Sequence, residues 1–206
     1  MLLRMRLLLP AVLILCCATT ATSTLHGQIK LPKLEELGEA DMLKQQQGLL
    51  TTPQISLLKR VTSRAIQQCV ADPGPEDAIT AAETYSQLRA RRINLSSNRT
   101  AVIVQGSRAC MCGAVGNCSL WLLSDDVQPK LLLRAVGIQN FATQVKPNKG
   151  GHDLVLGSHD SAFQSDLQWY RSNGVTFRRY RCATATWSDL DGKLCQPPHV
   201  DVGPCL

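Results

Sequence analysis

The residues best suited to chemistry lie in GGHDLVLGSHDSAFQSD, Gly151 to Asp166. It holds two His-Asp pairs, His152-Asp153 and His159-Asp160, with Ser158 and Ser161 beside the second. A serine hydrolase would use Ser158 or Ser161 with His159 and Asp160. Triad side chains must converge on one point, and neighbours along an extended chain diverge. No G-x-S-x-G elbow occurs anywhere in the chain. A metal-assisted hydrolase would draw on His159 and Asp160 with Asp153, or on a loop where His159, Asp160 and Asp166 meet. His152 and His159 are seven residues apart and face opposite sides of a continuous strand, so only a bend at Gly157-Ser158 could unite them. The remaining histidines, His26 and His199, lie far away in sequence. The preferred reading is a scaffold. Leu154-Val155-Leu156 form a buried strand, Asp153 caps its entry, and Ser158 to Ser161 make a turn whose polar side chains bond the backbone. No catalytic residue, metal or cofactor is assigned on this reading. His159 and Asp160, with Asp153, carry the alternative.

Cysteine supplies the other chemistry. The N-terminus, MLLRMRLLLPAVLILCCATTATSTLHGQ, has basic Arg4 and Arg6, an apolar run from Leu7 to Cys17, and small residues after it. That is the layout of a secretory signal peptide, assigned to residues 1–23. The run is too short to span a membrane, which takes about 20 apolar residues. Cys16 and Cys17 raise lipid attachment as a lesser reading, because Leu13-Ile14-Leu15 lacks the small residue that usually precedes a lipidated cysteine. Export to a secreted or periplasmic location makes disulfides the default. Seven cysteines remain: Cys69, Cys110, Cys112, Cys118, Cys182, Cys195 and Cys205. The number is odd, so at least one stays free or pairs between chains. The expected pairs are Cys112 with Cys118, across the glycines of CMCGAVGNC, Cys195 with Cys205, across QPPHVDVGP, and Cys69 with Cys110. Sequence alone does not fix connectivity. A zinc or iron–sulfur site at Cys110, Cys112 and Cys118 would need a second ligand pair at clear spacing, which the chain lacks.

The formal charge is +6, and it falls to +4 once Arg4 and Arg6 leave with the leader. Basic residues are scattered except in Arg89-Ala-Arg-Arg92 and Arg178-Arg179-Tyr-Arg181. Nucleic-acid surfaces combine a basic stripe with stacking aromatics, and aromatics are 4% here. These clusters read as solvated surface charge, with no nucleic-acid partner and no transmembrane span. Trp121 and Trp169 fall in expected strands and suit a core. Trp187, in the polar stretch TWSDLDGK, is the candidate for an exposed contact. Asn94, Asn98 and Asn117 head glycosylation acceptor sequences, which matter only in a eukaryotic secretory pathway.

These residues need elements to hold them. Residues 24–52 are polar and weakly helical, with Leu34, Leu37 and Leu43 as a loose stripe. Thr52-Pro53 opens a better helix carrying Ile55, Leu58, Val61, Ala65 and Cys69 on one face. Asp72 to Pro75 break it, and Pro75 opens a second helix to about Arg92. Residues 53–92 thus read as a helical hairpin. Short apolar runs between turn residues follow over 93–182: AVIVQG, LWLLS, KLLLRAVG, FATQV, HDLVLGS, LQWYR and VTFRRYR. Two hairpins are legible, one around DDVQP and one around SNGV. The expected fold is α+β, an N-terminal helical hairpin followed by a disulfide-stapled antiparallel sheet of about six strands. Residues 183–206 read as an irregular tail containing cysteine and proline.

CGAVGNC, HDLVLGSHDSA and the Tyr170…Asn173-Gly174…Tyr180 hairpin ending at Cys182 together resemble a group of uncharacterised secreted bacterial proteins, over roughly 93–182. The resemblance implies export and no particular activity. INLSSNRTAVIV and KGGHDLVL also resemble FG-GAP-type calcium-loop repeats. Asn94 and Asn98 replace the leading carboxylates, Arg99 replaces the glycine, and only Asp153 is kept. The likeness therefore implies an ion that is weak or lost. The function expected from all this is a non-enzymatic binding or structural protein acting on a protein or cell-envelope partner. The alternative is a metal-assisted envelope hydrolase using His159 and Asp160.

Overall fold

A computed structural model describes residues 31–46, 48–71, 80–106, 110–113, 115–144, 151–188 and 193–205. The expected leader lies outside them. The fold is mainly β, not the expected helical hairpin plus one sheet. A four-stranded antiparallel sheet has the order β2 (Arg89–Ser96), β3 (Arg99–Gln105), β4 (Cys118–Ser124), β5 (Leu131–Ile138). A six-stranded antiparallel sheet has the order β1 (Glu35–Glu36), β6 (Asn140–Gln144), β7 (Asp153–Ser161), β8 (Gln164–Ser172), β9 (Phe177–Ser188), β10 (Leu194–Gly203). The helices are α1 (Thr52–Ala71) and α2 (Ala81–Gln87).

The continuous apolar runs report strands buried on both faces. In β3, Ala101 and Ile103 enter the core between the sheets, and Val102 and Val104 enter the core beneath α1. In β4, Leu120 and Leu122 take the first side and Trp121 and Leu123 the second. The larger sheet contributes Phe141, Leu154, Leu156, Tyr170 and Phe177 to the shared core. Its outer face carries a third cluster of Ala142, Val155, Leu167, Trp169, Ala183 and Ala185. The layers are thus helix, small sheet, large sheet.

The helical hairpin fails at its second arm. The expected break and helix start at Asp72 to Pro75 lie outside the described residues, and Thr80 caps α2. Its side chain accepts from the Glu83 N–H, and the Glu83 carboxylate accepts from the Thr80 N–H. The backbone and hydroxyl hydrogen bonds of Thr80 hold the Glu83 carboxyl below its usual range. α2 ends at Gln87, and RARRINLS becomes β2. Arginine favours helix, but Ile93 and Leu95 alternate into the shared core, and pairing with β3 overrides propensity. In α1 the buried face is Gln54, Leu57, Leu58, Thr62 and Ile66, rotated from the expected stripe, so Ile55 is left exposed. Thr51 and Gln54 close its N-terminus reciprocally, backbone N–H to side-chain oxygen in each direction.

Residues 31–46 form a strap rather than a weak helix. Leu37 enters the shared core, Leu43 packs under α1 and Leu34 packs on the outer face of the large sheet. Three leucines in three clusters cannot share one helical stripe. Arg91 pins the strap through Glu35 at 2.8 Å and Asp41 at 2.8 Å.

The tail is also ordered into sheet. β9 runs through Cys182 to Ser188, and β10 returns along it with Cys182 opposite Gly203. The disulfides are Cys69–Cys110, Cys112–Cys118 and Cys182–Cys205. The expected Cys195–Cys205 pair is therefore corrected. Residues 195 and 205 lie at opposite ends of an extended segment, roughly 33 Å apart at full strand rise. Antiparallel return places Cys205 beside Cys182 instead. β10 is an outermost strand with Pro197-Pro198 near its register shift, a placement that removes ladder donors only at an edge.

Candidate functional site

The His-Asp stretch forms β7 and the turn into β8. Asp153 and His159 share the outer face of the large sheet but are six residues apart, about 20 Å along a strand. Asp160 sits at a register shift between His159 and Ser161 and is exposed. Asp166 pairs with Ser158 and points to the inner face, where it accepts from the Thr184 hydroxyl at 2.8 Å. The residues of the alternative reading, Asp153, His159 and Asp160, are thus separated, and the His159–Asp160–Asp166 loop does not form. Among the described residues no three His, Cys, Asp or Glu side chains gather where an ion could sit.

His159 has a structural partner instead. β6 pairs with β7 only as far as Gly157, so beyond it the β7 backbone, paired with β8 on one side, lacks a neighbouring strand on the other. Asn117, in the small disulfide loop, fills the place. Its amide donates to the His159 carbonyl at 2.7 Å, and its side-chain oxygen accepts from the His159 N–H at 3.0 Å. One side chain thereby imitates a strand peptide. Gly157 lets this corner close, because a Cβ there would lie 2.0 Å from Asn140 Oδ1.

Asp153 is buried and anchors a different group. Tyr180 Oη donates to Asp153 Oδ2 at 2.5 Å, and Arg171 Nε lies 3.6 Å from Asp153 Oδ1. The Arg171 guanidinium is 4.3 Å from the centre of the Tyr180 ring, and that of Arg181 is 5.9 Å away. Register explains the grouping. Arg171 is paired with Arg178, and Trp169 with Arg181, while Tyr180 is the extra residue of a bulge. Since Trp169 belongs to the outer cluster, Arg171, Arg178 and Arg181 all project from the outer face of the large sheet. In the sequence Arg178-Arg179-Tyr-Arg181 reads as a cluster of solvated surface charge, and nothing there joins Arg171 to it. The Asn173-Gly174 turn is legible in the sequence, but which arginines share a face depends on the register and on the bulge at Tyr180, which no local signal announces.

The inner face of the same strands carries a shallow groove of about 290 Å³, lined by Asp166, Gln168, Arg179, Thr184 and Asp201 near the Cys182–Cys205 bond. Tyr170 donates to Gln168 at 2.7 Å, and burial raises its phenol above the ordinary range against the opposing charge of Arg179. The groove mixes donors and acceptors of both charges. Trp187 lies in β9 rather than in a loop, and it packs half-buried against the outer cluster. Its backbone N–H donates to the Phe163 carbonyl at 2.7 Å.

The fold and these faces define a disulfide-stapled, two-sheet β protein with a helical cover. No family model matches the chain, and no match was found among curated proteins or solved structures.

Proposed function

We propose that this chain is a secreted or periplasmic, non-enzymatic binding protein that presents the β8–β9 hairpin to a protein or cell-envelope partner. The carrying observation is the exposed arginine face fixed on a buried Asp153 by Tyr180 and Arg171. Three disulfides favour work outside a reducing cytosol. No helix among the described residues is long and apolar enough to cross a membrane. The separation of Asp153, His159 and Asp160 supports binding over metal-assisted hydrolysis.

The test is co-sedimentation of the oxidised mature chain with envelopes of the producing cells. Saturable binding is expected, and it should fall when the disulfides are reduced. Absence of saturable binding would overturn the reading. So would recovery of the native chain from the cytosol with its cysteines reduced and residues 1–23 retained.

A further inference from the structure

We infer that the outer face of the β8–β9 hairpin is a binding site for an anionic polysaccharide, with Arg171, Arg178 and Arg181 as its anion receptors. The inference rests on the binding reading above and names the partner's chemistry.

Like charges directly opposed on neighbouring strands destabilise a sheet, with Cβ atoms about 5 Å apart. Arg171 and Arg178 are opposed in this way, and Arg181 projects from the same face one pleat along, about 7 Å further. Asp153 serves Arg171 from below. Among the described residues Arg178 and Arg181 have no ion pair, and Arg178 is exposed. The face therefore keeps unbalanced positive charge at a fixed spacing. A guanidinium receives sulfate, phosphate or carboxylate through two parallel N–H bonds, and this geometry is set when the side chain is held. Stacking on Tyr180 holds Arg171, and the Asp153 hydrogen bond holds Tyr180 in turn. The bulge at Tyr180 gives the turn of the strand that places Arg181 beside the same ring.

The surroundings favour a polysaccharide over other polyanions. Single-stranded nucleic acid needs open aromatic faces for its bases. Two guanidiniums lie over Tyr180, the aromatic ring at the centre of this face. A lipid surface is usually met by charge together with an inserted apolar element. The hairpin tip, Asn173 to Thr176, offers a single exposed apolar side chain, Val175. A polymer with one anionic group per sugar needs neither base stacking nor insertion.

Heparin is the probe, titrated into the oxidised full chain at about 0.15 M salt, where long-range attraction is screened. The variant Arg171→Ala/Arg178→Ala/Arg181→Ala should weaken binding by about tenfold or more, as expected for losing paired charge-assisted bonds. A charge-matched control, Arg60→Ala/Arg64→Ala/Arg134→Ala, removes exposed arginines from α1 and β5 and should change it by less than about threefold. Arg178→Lys keeps the charge but loses the fork and should weaken binding measurably. It also serves if the triple variant does not fold, because Arg178 has no ion pair among the described residues. Vesicles of phosphatidylserine and phosphatidylcholine should retain less protein than heparin does. Equal loss in the control, no effect of Arg178→Lys, or tighter binding to vesicles would overturn the inference. If heparin binding is absent while envelope sedimentation persists, only this inference falls. If both are absent, the binding reading falls with it.

Discussion

At the scale of single residues, side chains that look chemical prove to hold backbone in place. Asn117 heads an acceptor sequence for glycosylation, yet its amide is engaged with His159. Asn117→Ala should cost about 1–3 kcal/mol, since a carbonyl and an N–H lose their partners, and denaturant unfolding measures it. Gly157→Ala forces a side chain into Asn140 and should cost a further 1–3 kcal/mol or so by the same assay. Asp41 shows how charge opposes burial. Burial raises its carboxyl, but hydrogen bonds from Arg91 and the Gly38 N–H, with the guanidinium charge, leave it below the ordinary value of 3.8. A depressed folded pKa adds stability above the unfolded pKa, and that stability is lost as pH falls through the folded value. Wild type should therefore lose strap stability on acidification below about pH 4. Asp41→Asn should be weaker at neutral pH by about 1.5–3 kcal/mol and show less of this acid loss. Equal acid sensitivity in both proteins would remove Asp41 from the explanation.

At the scale of elements, legibility followed how local each determinant is. The hairpins around DDVQP and SNGV were readable because turn residues sit between adjacent strands, and both appear as β4–β5 and β8–β9. α1 is legible as a helix from Thr52-Pro53 and its period, although Thr51 closes its N-terminus and its buried face turns from Ile55 to Gln54 and Leu57. The single-sheet α+β layout was not supported, because AVIV and LWLL do not say which cover lies on each face. β2 was hidden in arginines whose helix preference is overridden by pairing with β3. The strap was hidden because Leu34, Leu37 and Leu43 serve three separate clusters. The hairpin register spreads Asp153, His159 and Asp166 along and across the sheet, a placement that residue spacing alone does not reveal. Cys182 and Cys205 became partners only when the supposed tail folded into β10. Non-reducing peptide mapping should recover a Cys182–Cys205 linkage, and a Cys195–Cys205 linkage would refute the β9–β10 register. Cys182→Ser with Cys205→Ser should cost about 3 kcal/mol, on the loop-entropy estimate for a closure of this length.

At the scale of the molecule, the layers divide labour. Disulfide Cys69–Cys110 ties α1 to the chain beside the small sheet, Cys112–Cys118 closes the loop that caps β7, and Cys182–Cys205 fastens the edge of the large sheet. These staples hold a β8–β9 hairpin whose two faces differ, a mixed polar groove inside and an arginine face outside. The central claim is that the His-Asp stretch belongs to this scaffold and that function lies in binding. Thermal unfolding of the oxidised mature chain tests it most directly, first with EDTA and then with calcium, zinc, manganese or magnesium. A ligand that binds only the folded state raises the midpoint. The midpoint should stay within about a degree for each ion, with His159→Ala and Asp160→Ala responding as wild type does. A rise of several degrees with one metal, abolished by either substitution, would contradict the claim and restore the hydrolase.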